Sequence, residues 1–442
     1  MILSKFAFFE QIDEDLFAVY NSLFMRIIFV DAIQRKKILN FETTEDEADI
    51  LKSNGIYIDN EKKDDEIFNI IKNNIISHSR KVSIMYLNVS TYCNLACKYC
   101  FIDNNPLSVN DRRIMDFVTA KNALDKFKKE IKKNNEESMA QIILYGGEPL
   151  TNTNNFDKII EYARETMPDL KITLITNGTL LTEEKIKFLK KNNIIVGLSI
   201  DGPKNINDKS RVYKCNCGSV YDDAVKSIPL LNKYNVLYGL SSTVTKDLID
   251  CKKEAFNCYK MLNIHDIFFN IFHYSKKVDN EEWGNFYNEM SDFILNMSDE
   301  LKQININEGR TRDQINLLAS EIFKFQSCGA VGLNQITVQP NGDVCICQGD
   351  SRSCKNIIGN INNDEISDML KNPSINQWTE YYTVCREECK KCEALFLCGG
   401  GCPLQAEALF DSRDVLDKAS CIFYKKFLKW YLKKYYLKIK GG

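Results

Sequence analysis

The sequence predicts an α/β protein centred on an open, partial barrel of parallel strands, with a small mixed unit before it and a cysteine-rich segment after it. Two observations carry that prediction. Between about residues 82 and 272, short β-branched runs alternate with helical stretches, the pattern of βαβ units in a parallel sheet. Seventeen cysteines stand beside only three histidines in 442 residues, and they gather around residues 93–100 and beyond residue 328.

At this length a single ordinary core is exceeded, so two or three units are expected. Hydrophobic residues at 44% and charged residues at 27% are the balance of a soluble globular protein. A net charge of -2 gives no reason to expect a nucleic-acid partner. The N-terminus reaches Glu10 and Asp13 before any sustained apolar run, which makes a poor signal peptide, and no stretch approaches the apolar length of a membrane span. An odd cysteine total excludes complete pairing within one chain. A reducing, cytoplasmic setting is therefore expected, with thiols serving as metal ligands.

Residues 1–80 carry short apolar runs at Phe6–Phe9, Phe17–Tyr20 and Arg26–Val30, which read as strands. Helices are expected over Ala32–Leu39, Thr44–Lys52 and Asp65–Ile76, the second closed by Asn54-Gly55. Three strands and three helices in this compass make a winged-helix-like unit. Residues 81–310 then repeat strand and helix, with strands at Ile84–Val89, Ile142–Tyr145, Ile172–Thr176, Ile194–Ile200, Leu237–Thr243 and Ile267–Phe272. Helices are expected over Lys121–Lys133, Asn155–Glu165, Glu183–Lys191 and Tyr221–Lys233. Six strands are too few for the closed eight-stranded barrel, so the barrel is open, a (β/α)6 arrangement with its chemistry at the C-terminal strand ends. Residues 311–442 hold a hairpin about Pro340-Asn341-Gly342 and end in a basic helix, Phe423–Lys440, whose lysines read as a solvated face.

Directly after the first barrel strand stands Cys93-Asn94-Leu95-Ala96-Cys97-Lys98-Tyr99-Cys100. This CxxxCxxC loop offers three thiolates to a cubane cluster that needs four ligands, which leaves one iron for an exogenous ligand. A structural zinc would want a fourth Cys or His nearby, and apart from these three none lies between His78 and Cys215.

This loop resembles the signature of the radical S-adenosylmethionine (SAM) superfamily, in which an aromatic residue, here Tyr99, precedes the last cysteine. Gly146-Gly147-Glu148-Pro149 after the second strand is similar to the family's GGEP, Thr176-Asn177-Gly178 ends the third, and Ser199-Ile200-Asp201-Gly202 ends the fourth. Arg211, twelve residues after Ser199, resembles the arginine that pairs the methionine carboxylate. The resemblance implies that Tyr99, Gly146, Gly147, Glu148, Thr176, Asn177, Ser199, Asp201 and Arg211 contact SAM. It also implies that Cys93, Cys97 and Cys100 hold the first [4Fe–4S] cluster. Taken alone, Gly146-Gly147 and Asp201-Gly202-Pro203 are turn signals.

Further on, Cys328, Gly342-x4-Cys347, Cys389-x2-Cys392-x5-Cys398-x3-Cys402 and Cys421 resemble the seven-cysteine SPASM extension, which holds two auxiliary clusters. That resemblance implies one cluster on Cys389, Cys392, Cys398 and Cys421. It implies another on Cys328, Cys347 and Cys402, with Cys345, Cys354 and Cys385 as candidates for its fourth ligand. Cys215, Cys217, Cys251 and Cys258 stand apart, read mainly as small buried or unliganded thiols, although the first two lie near the expected active-site rim. The three histidines carry no local motif.

The family relationship implies reductive cleavage of SAM to a 5′-deoxyadenosyl radical, fed by a flavodoxin- or ferredoxin-type donor, with an auxiliary cluster accepting the electron left on the substrate. The pattern of residues 1–80, Tyr20-Asn21-Ser22 before a strand and then two helices and Gly55-Ile56, resembles the leader-recognition domain of ribosomal-peptide (RiPP) maturases such as the sactipeptide and ranthipeptide thioether synthases. The expected activity is cross-linking of a precursor peptide, by thioether first and carbon–carbon bond second. Anaerobic sulfatase maturation is the alternative enzyme. It is disfavoured by Gln348, where those enzymes place an aspartate, although Asp350 is near. A non-enzymatic electron-transfer protein is the alternative of another class, but would have no use for the GGEP, TNG and SxDG stations.

Overall fold

The computed structural model describes residues 1–77, 81–100, 113–274, 277–349 and 356–441. His78, Asp350 and Cys354 lie outside the described residues.

The first part forms five strands, β1 (Ile2–Leu3), β2 (Ala7–Asp13), β3 (Leu16–Asn21), β4 (Arg26–Asp31) and β5 (Tyr57–Ile58), with helices Ala32–Asn40, Glu45–Ser53 and Glu61–Ser77. β2, β3 and β4 make an antiparallel meander, and β1 pairs with β5. Two helices start at capping boxes, Asp31 with Gln34 and Thr44 with Glu47, each satisfying two orphan N–H groups. The third begins earlier than apolar periodicity indicates, because the Asn60 side chain accepts the Lys62 N–H at 3.1 Å. The interior of this part is not closed off. Phe6, Tyr20 and Phe68 join the core that runs under the rest of the chain, with Phe6 stacked on Phe68.

The barrel strands are β6 (Ile84–Ser90), β7 (Gln141–Gly146), β8 (Lys171–Thr176), β9 (Ile194–Ser199), β10 (Tyr238–Thr243) and β11 (Asp266–Asn270), each parallel to its neighbours. β12 (Asn307–Glu308) extends one edge. β13 (Gln335–Val338), β14 (Asp343–Cys345) and β15 (Ile357–Asn360) extend the other, so ten strands form one sheet in the order β12-β11-β10-β9-β8-β7-β6-β13-β14-β15. The anticipated hairpin is thus part of the barrel sheet, β13 lying parallel to β6 with Thr337 beside Tyr86.

Alternation along these strands separates two environments. Leu144, Leu174, Leu198 and Leu240 are fully buried under the helices. The opposite face, bearing Tyr86, Tyr145, Thr173, Ser199 and Ser241, is only half-buried. The inner face of the sheet is therefore lined by polar and aromatic groups and is less buried than the apolar face under the helices.

The helix expected over Tyr221–Lys233 is two, Val220–Val225 and Ser227–Lys233. Pro229 has no N–H to bond the carbonyl of Val225, which breaks the ladder there. The basic face of the last helix, Lys418–Gly441, is less solvated than its sequence indicates. Lys426 pairs with Asp292 at 2.7 Å and Lys434 with Asp299 at 2.6 Å, both acids on the helix Asn280–Gln303. Lys429 pairs with Glu10 of β2, and Phe29 of β4 packs on Tyr435 and Tyr436. Among the described residues no helix is long and apolar enough to cross a membrane.

Candidate active site and cluster-binding cysteines

The CxxxCxxC loop leaves the C-terminal end of β6 and is laced to the segment after β9. Ala96 N–H donates to Val212 O at 2.7 Å, Lys98 N–H to Ser210 O at 2.9 Å, and Lys214 N–H to Asn94 O at 3.1 Å. Cys93, Cys97 and Cys100 are all partly exposed. Leu95 N–H donates to Cys93 Sγ at 3.4 Å, and the Asn177 amide reaches the same sulfur at 3.9 Å. Asn177 also donates to Asn94 Oδ1, while Asn94 donates to Thr179 Oγ1, so the TNG station steadies the loop's second residue. Burial pushes the Cys93 thiol up to about 12, with the Glu148 carboxyl adding to it. A thiolate there wants a cation in place, which is the demand an iron cluster meets.

Gly146 and Gly147 are required by close approach. A Cβ on Gly146, whose φ is +125°, would lie 2.2 Å from Ser90 O, and one on Gly147 would lie 2.3 Å from Tyr92 O. Glu148 is buried and ties two strand ends together: it accepts Thr176 Oγ1–H at 2.7 Å, Asn177 N–H at 2.8 Å and Leu150 N–H at 3.2 Å. Burial outweighs these donors and pushes its carboxyl from 4.5 to about 7. The folded state therefore holds a proton that the unfolded chain releases above pH 4.5. Stability from this group is complete below that pH and is lost as pH rises through about 7, by about 3 kcal/mol. In Glu148→Gln that slope is expected to vanish from denaturation midpoints measured across the interval.

Asp201 is the hub of the fourth station. Arg211 donates from Nε to Asp201 Oδ2 at 2.8 Å and from Nη2 to Oδ1 at 3.1 Å. Thr243 N–H adds a bond to Oδ1 at 2.8 Å, and the Tyr99 hydroxyl donates to Oδ2. The guanidinium also lies over the Tyr99 ring, 5.5 Å from its centroid. Arg211, expected from family resemblance to meet a methionine carboxylate, thus has two of its nitrogens held by Asp201. Ser199 faces the lumen at the end of β9, beside Ser241.

The remaining thiols fall into two neighbourhoods. Burial, then Cys421 and Cys392, push the Cys389 thiol up to about 12. Cys398 is raised by burial, Cys421 and Cys389 among others, and Cys421 to about 11 by burial, Asp417 and Cys392. Each of Cys389, Cys398 and Cys421 thus has at least one other member of this implied set among its charged neighbours. Cys402 is raised by burial, by Asp417, and by Cys347 and Cys328, so both other members of the second implied set are among its charged neighbours. Tyr86 stands near Cys328 and Cys347, and Tyr145 near Cys100 and Cys347. Their rings meet edge-on at 5.5 Å, so one aromatic pair on the inner face has thiols of both the first loop and the second set among its neighbours.

Cys345 is buried and shares the lumen face with Thr337 and Tyr86, its Sγ 3.3 Å from Cys347 O. Cys385 is raised by burial, and its charged neighbours are Lys72, Glu380 and Arg386. Cys385→Ser is accordingly expected to leave bound iron at the wild-type value, about twelve per chain if three cubanes assemble, by colorimetric assay. Among the described residues no three His, Cys, Asp or Glu side chains stand as close as one ion requires. The donor sets are all thiol, the chemistry that iron–sulfur clusters take.

Cys258 is buried beside the Tyr221 hydroxyl at 3.4 Å, a packing role as expected. Cys215 and Cys217 are different: both are exposed, and they are joined by a disulfide. Burial pushes the His273 imidazole below its ordinary value. Asp417 was not singled out by sequence reasoning. It is buried, accepts Cys402 N–H at 3.0 Å, and caps the last helix by accepting Ala419 and Ser420 N–H. An Asp just ahead of a helix was the signal available.

Residues 87–245 match the model of the radical SAM superfamily, and residues 328–393 that of the SPASM iron–sulfur cluster-binding domain. The chain is 25% identical over 451 residues to the radical SAM cyclopropyl synthase TigE of Paramaledivibacter caminithermalis, covering 95% of this chain and 89% of that protein. It is 29% identical over 365 residues to a cysteine-type anaerobic sulfatase-maturating enzyme of Clostridium perfringens, covering 79% of this chain and 96% of that enzyme. The crystal structure of Streptococcus suis SuiB bound to precursor peptide SuiA shares the fold, with a TM-score of 0.57 at 17% identity over 95% of this chain and 99% of that one.

Proposed function

We propose, because the chain carries a radical SAM domain joined to a SPASM iron–sulfur domain and is an enzyme of that kind, that it matures a ribosomally made precursor peptide by removing hydrogen and closing an intramolecular bond. The observation that carries this reading is the Tyr86–Tyr145 pair on the inner face of the barrel sheet, which has Cys100 of the first loop and Cys328 and Cys347 of the second set among its neighbours. When bound, SAM and its cluster supply a hydrogen-abstracting radical, and auxiliary clusters supply an electron acceptor. The chain's own groups do the positioning. Glu148 holds the second and third strand ends at fixed spacing, Asp201 fixes Arg211 and Tyr99, and the tyrosine pair narrows the lumen against water.

Residues 1–80 serve as the leader-binding unit in this reading. β2 and β4 are the edges of their three-stranded sheet, and an extended leader would add to one of them. The likeness to SuiB, crystallised with a precursor peptide, spans 95% of the chain and supports this use. We take a thioether as the first form of the bond. A carbon–carbon bond is the second, and the likeness to a cyclopropyl synthase favours it. Sulfatase maturation is supported by the match to the Clostridium perfringens enzyme, but that match leaves about a fifth of this chain unused. In addition, Gln348 stands as a neutral amide accepting from Gln335 at 2.8 Å.

The test is anaerobic reconstitution, reduction with dithionite, and incubation with SAM and the short peptides encoded beside the gene. 5′-Deoxyadenosine and a peptide lighter by a hydrogen pair per cross-link are expected. Conversion of a sulfatase-derived cysteine peptide, with no change in the neighbouring peptides, would replace this reading by the alternative.

A further inference from the structure

We propose that Cys215 and Cys217 form a thiol–disulfide exchange site at the mouth of the barrel, one that takes the thiol of a cysteine-containing peptide. The inference rests on the thioether form of the function proposed above. Residues 214–218, Lys-Cys-Asn-Cys-Gly, are exposed one after another. Asn216 takes a left-handed φ of 52° and donates its N–H to Tyr213 O at 2.9 Å. An extended backbone would hold alternate Cα atoms roughly 6.6 Å apart. This turn draws those of Cys215 and Cys217 to 5.3 Å, inside the range a disulfide accepts.

The turn sits where substrate would enter. Lys214 N–H bonds Asn94 O of the CxxxCxxC loop, and Tyr213 forms a bridge with Leu95 of the same loop. The disulfide therefore stands next to the backbone that carries Cys93 and Cys97. Lys214 places its ammonium over the Tyr92 ring at 5.3 Å, which puts a cation at the rim where a thiolate would approach. None of the SAM or cluster stations uses these two sulfurs.

The exchange balances without an outside oxidant. A peptide thiolate attacks one sulfur of the pair, a mixed disulfide forms, and the Cys215–Cys217 bond breaks. The released sulfur leaves as a thiolate and takes a proton from water. Attack by that sulfur on the mixed disulfide reverses each step and frees the peptide thiol, so capture is a tether with no net oxidation.

The experiment uses full-length reconstituted protein with the disulfide formed, mixed with a short synthetic peptide carrying a single cysteine and, in a parallel arm, with glutathione. Samples are quenched with iodoacetamide and mapped by mass spectrometry. The expected result is peptide bound through Cys215 or Cys217, the other cysteine alkylated, and little glutathione captured at equal concentration. Cys215→Ser/Cys217→Ser is expected to lose all captured peptide while retaining wild-type iron, which separates a lost site from a lost fold. Equal capture of glutathione would overturn the peptide assignment. Alkylation of both cysteines before any thiol is added, with no capture, would overturn the site. Because capture is read without turnover, its failure is distinguishable from an absence of 5′-deoxyadenosine, which would strike the enzymatic reading instead.

Discussion

Replacing Cys93, Cys97 and Cys100 together with alanine is expected to abolish 5′-deoxyadenosine formation and to lower bound iron from about twelve to about eight per chain. The partial loss is the informative part. The two other thiol sets stand on separate elements, one around the helices Glu387–Lys390 and Leu395–Cys398, the other spanning the end of the β13–β14 hairpin and the start of the helix Pro403–Phe410. The loop's backbone bonds to Val212 and Ser210 do not involve the sulfurs, so its path survives the substitutions. Colorimetric iron and chromatography of the nucleoside check both numbers. Iron remaining near twelve would mean that these thiols hold no cluster.

Asp201→Leu is expected to destabilise the protein by about 3–5 kcal/mol and to raise the KM for SAM. The first effect follows from burial. Asp201 is completely buried and Arg211 nearly so, and removing the carboxylate leaves a guanidinium in the interior without its counter-charge. Adding Arg211→Met removes the stranded charge and is expected to return most of the stability, since apolar groups can replace a buried pair at little cost. The KM is expected to stay high in the double variant, because Tyr99 has lost its acceptor and the arginine is gone. Denaturant midpoints and KM for SAM are the two measurements. A double variant with wild-type KM would show that the pair serves stability alone.

Different parts of this arrangement were legible to different degrees. CxxxCxxC, GGEP, TNG and SxDG are local strings, and each lies at a strand end where alternation of period two stops. Barrel strand positions were readable within a residue or two because the outward face of each is buried and mostly leucine, isoleucine or valine, joined by Met85, Tyr238 and Phe269. The single helix expected over Tyr221–Lys233 missed a break whose signal, Pro229 without an N–H, was in the chain. The Asp201–Tyr99 bond was not readable, since 102 residues separate its partners and either side chain alone looks like a turn aspartate or a motif aromatic. Nor was the pairing of Cys215 with Cys217, which depends on a left-handed Asn216.

Periodicity, spacing and residue type were enough to establish an α/β barrel of six strands, a first set of three thiols, and a cysteine-rich segment after it. These are short-range properties, set by backbone sterics and by which side chains a strand or helix can bury. Register and distant contact required the folded chain. β13 lies against β6 across some 250 residues, Phe6 and Tyr20 share their core with the last helix, and Arg211 turns toward Asp201. Such contacts form because burying two faces together outweighs the entropy of closing the loop between them, and that balance belongs to the whole chain and not to any window of it.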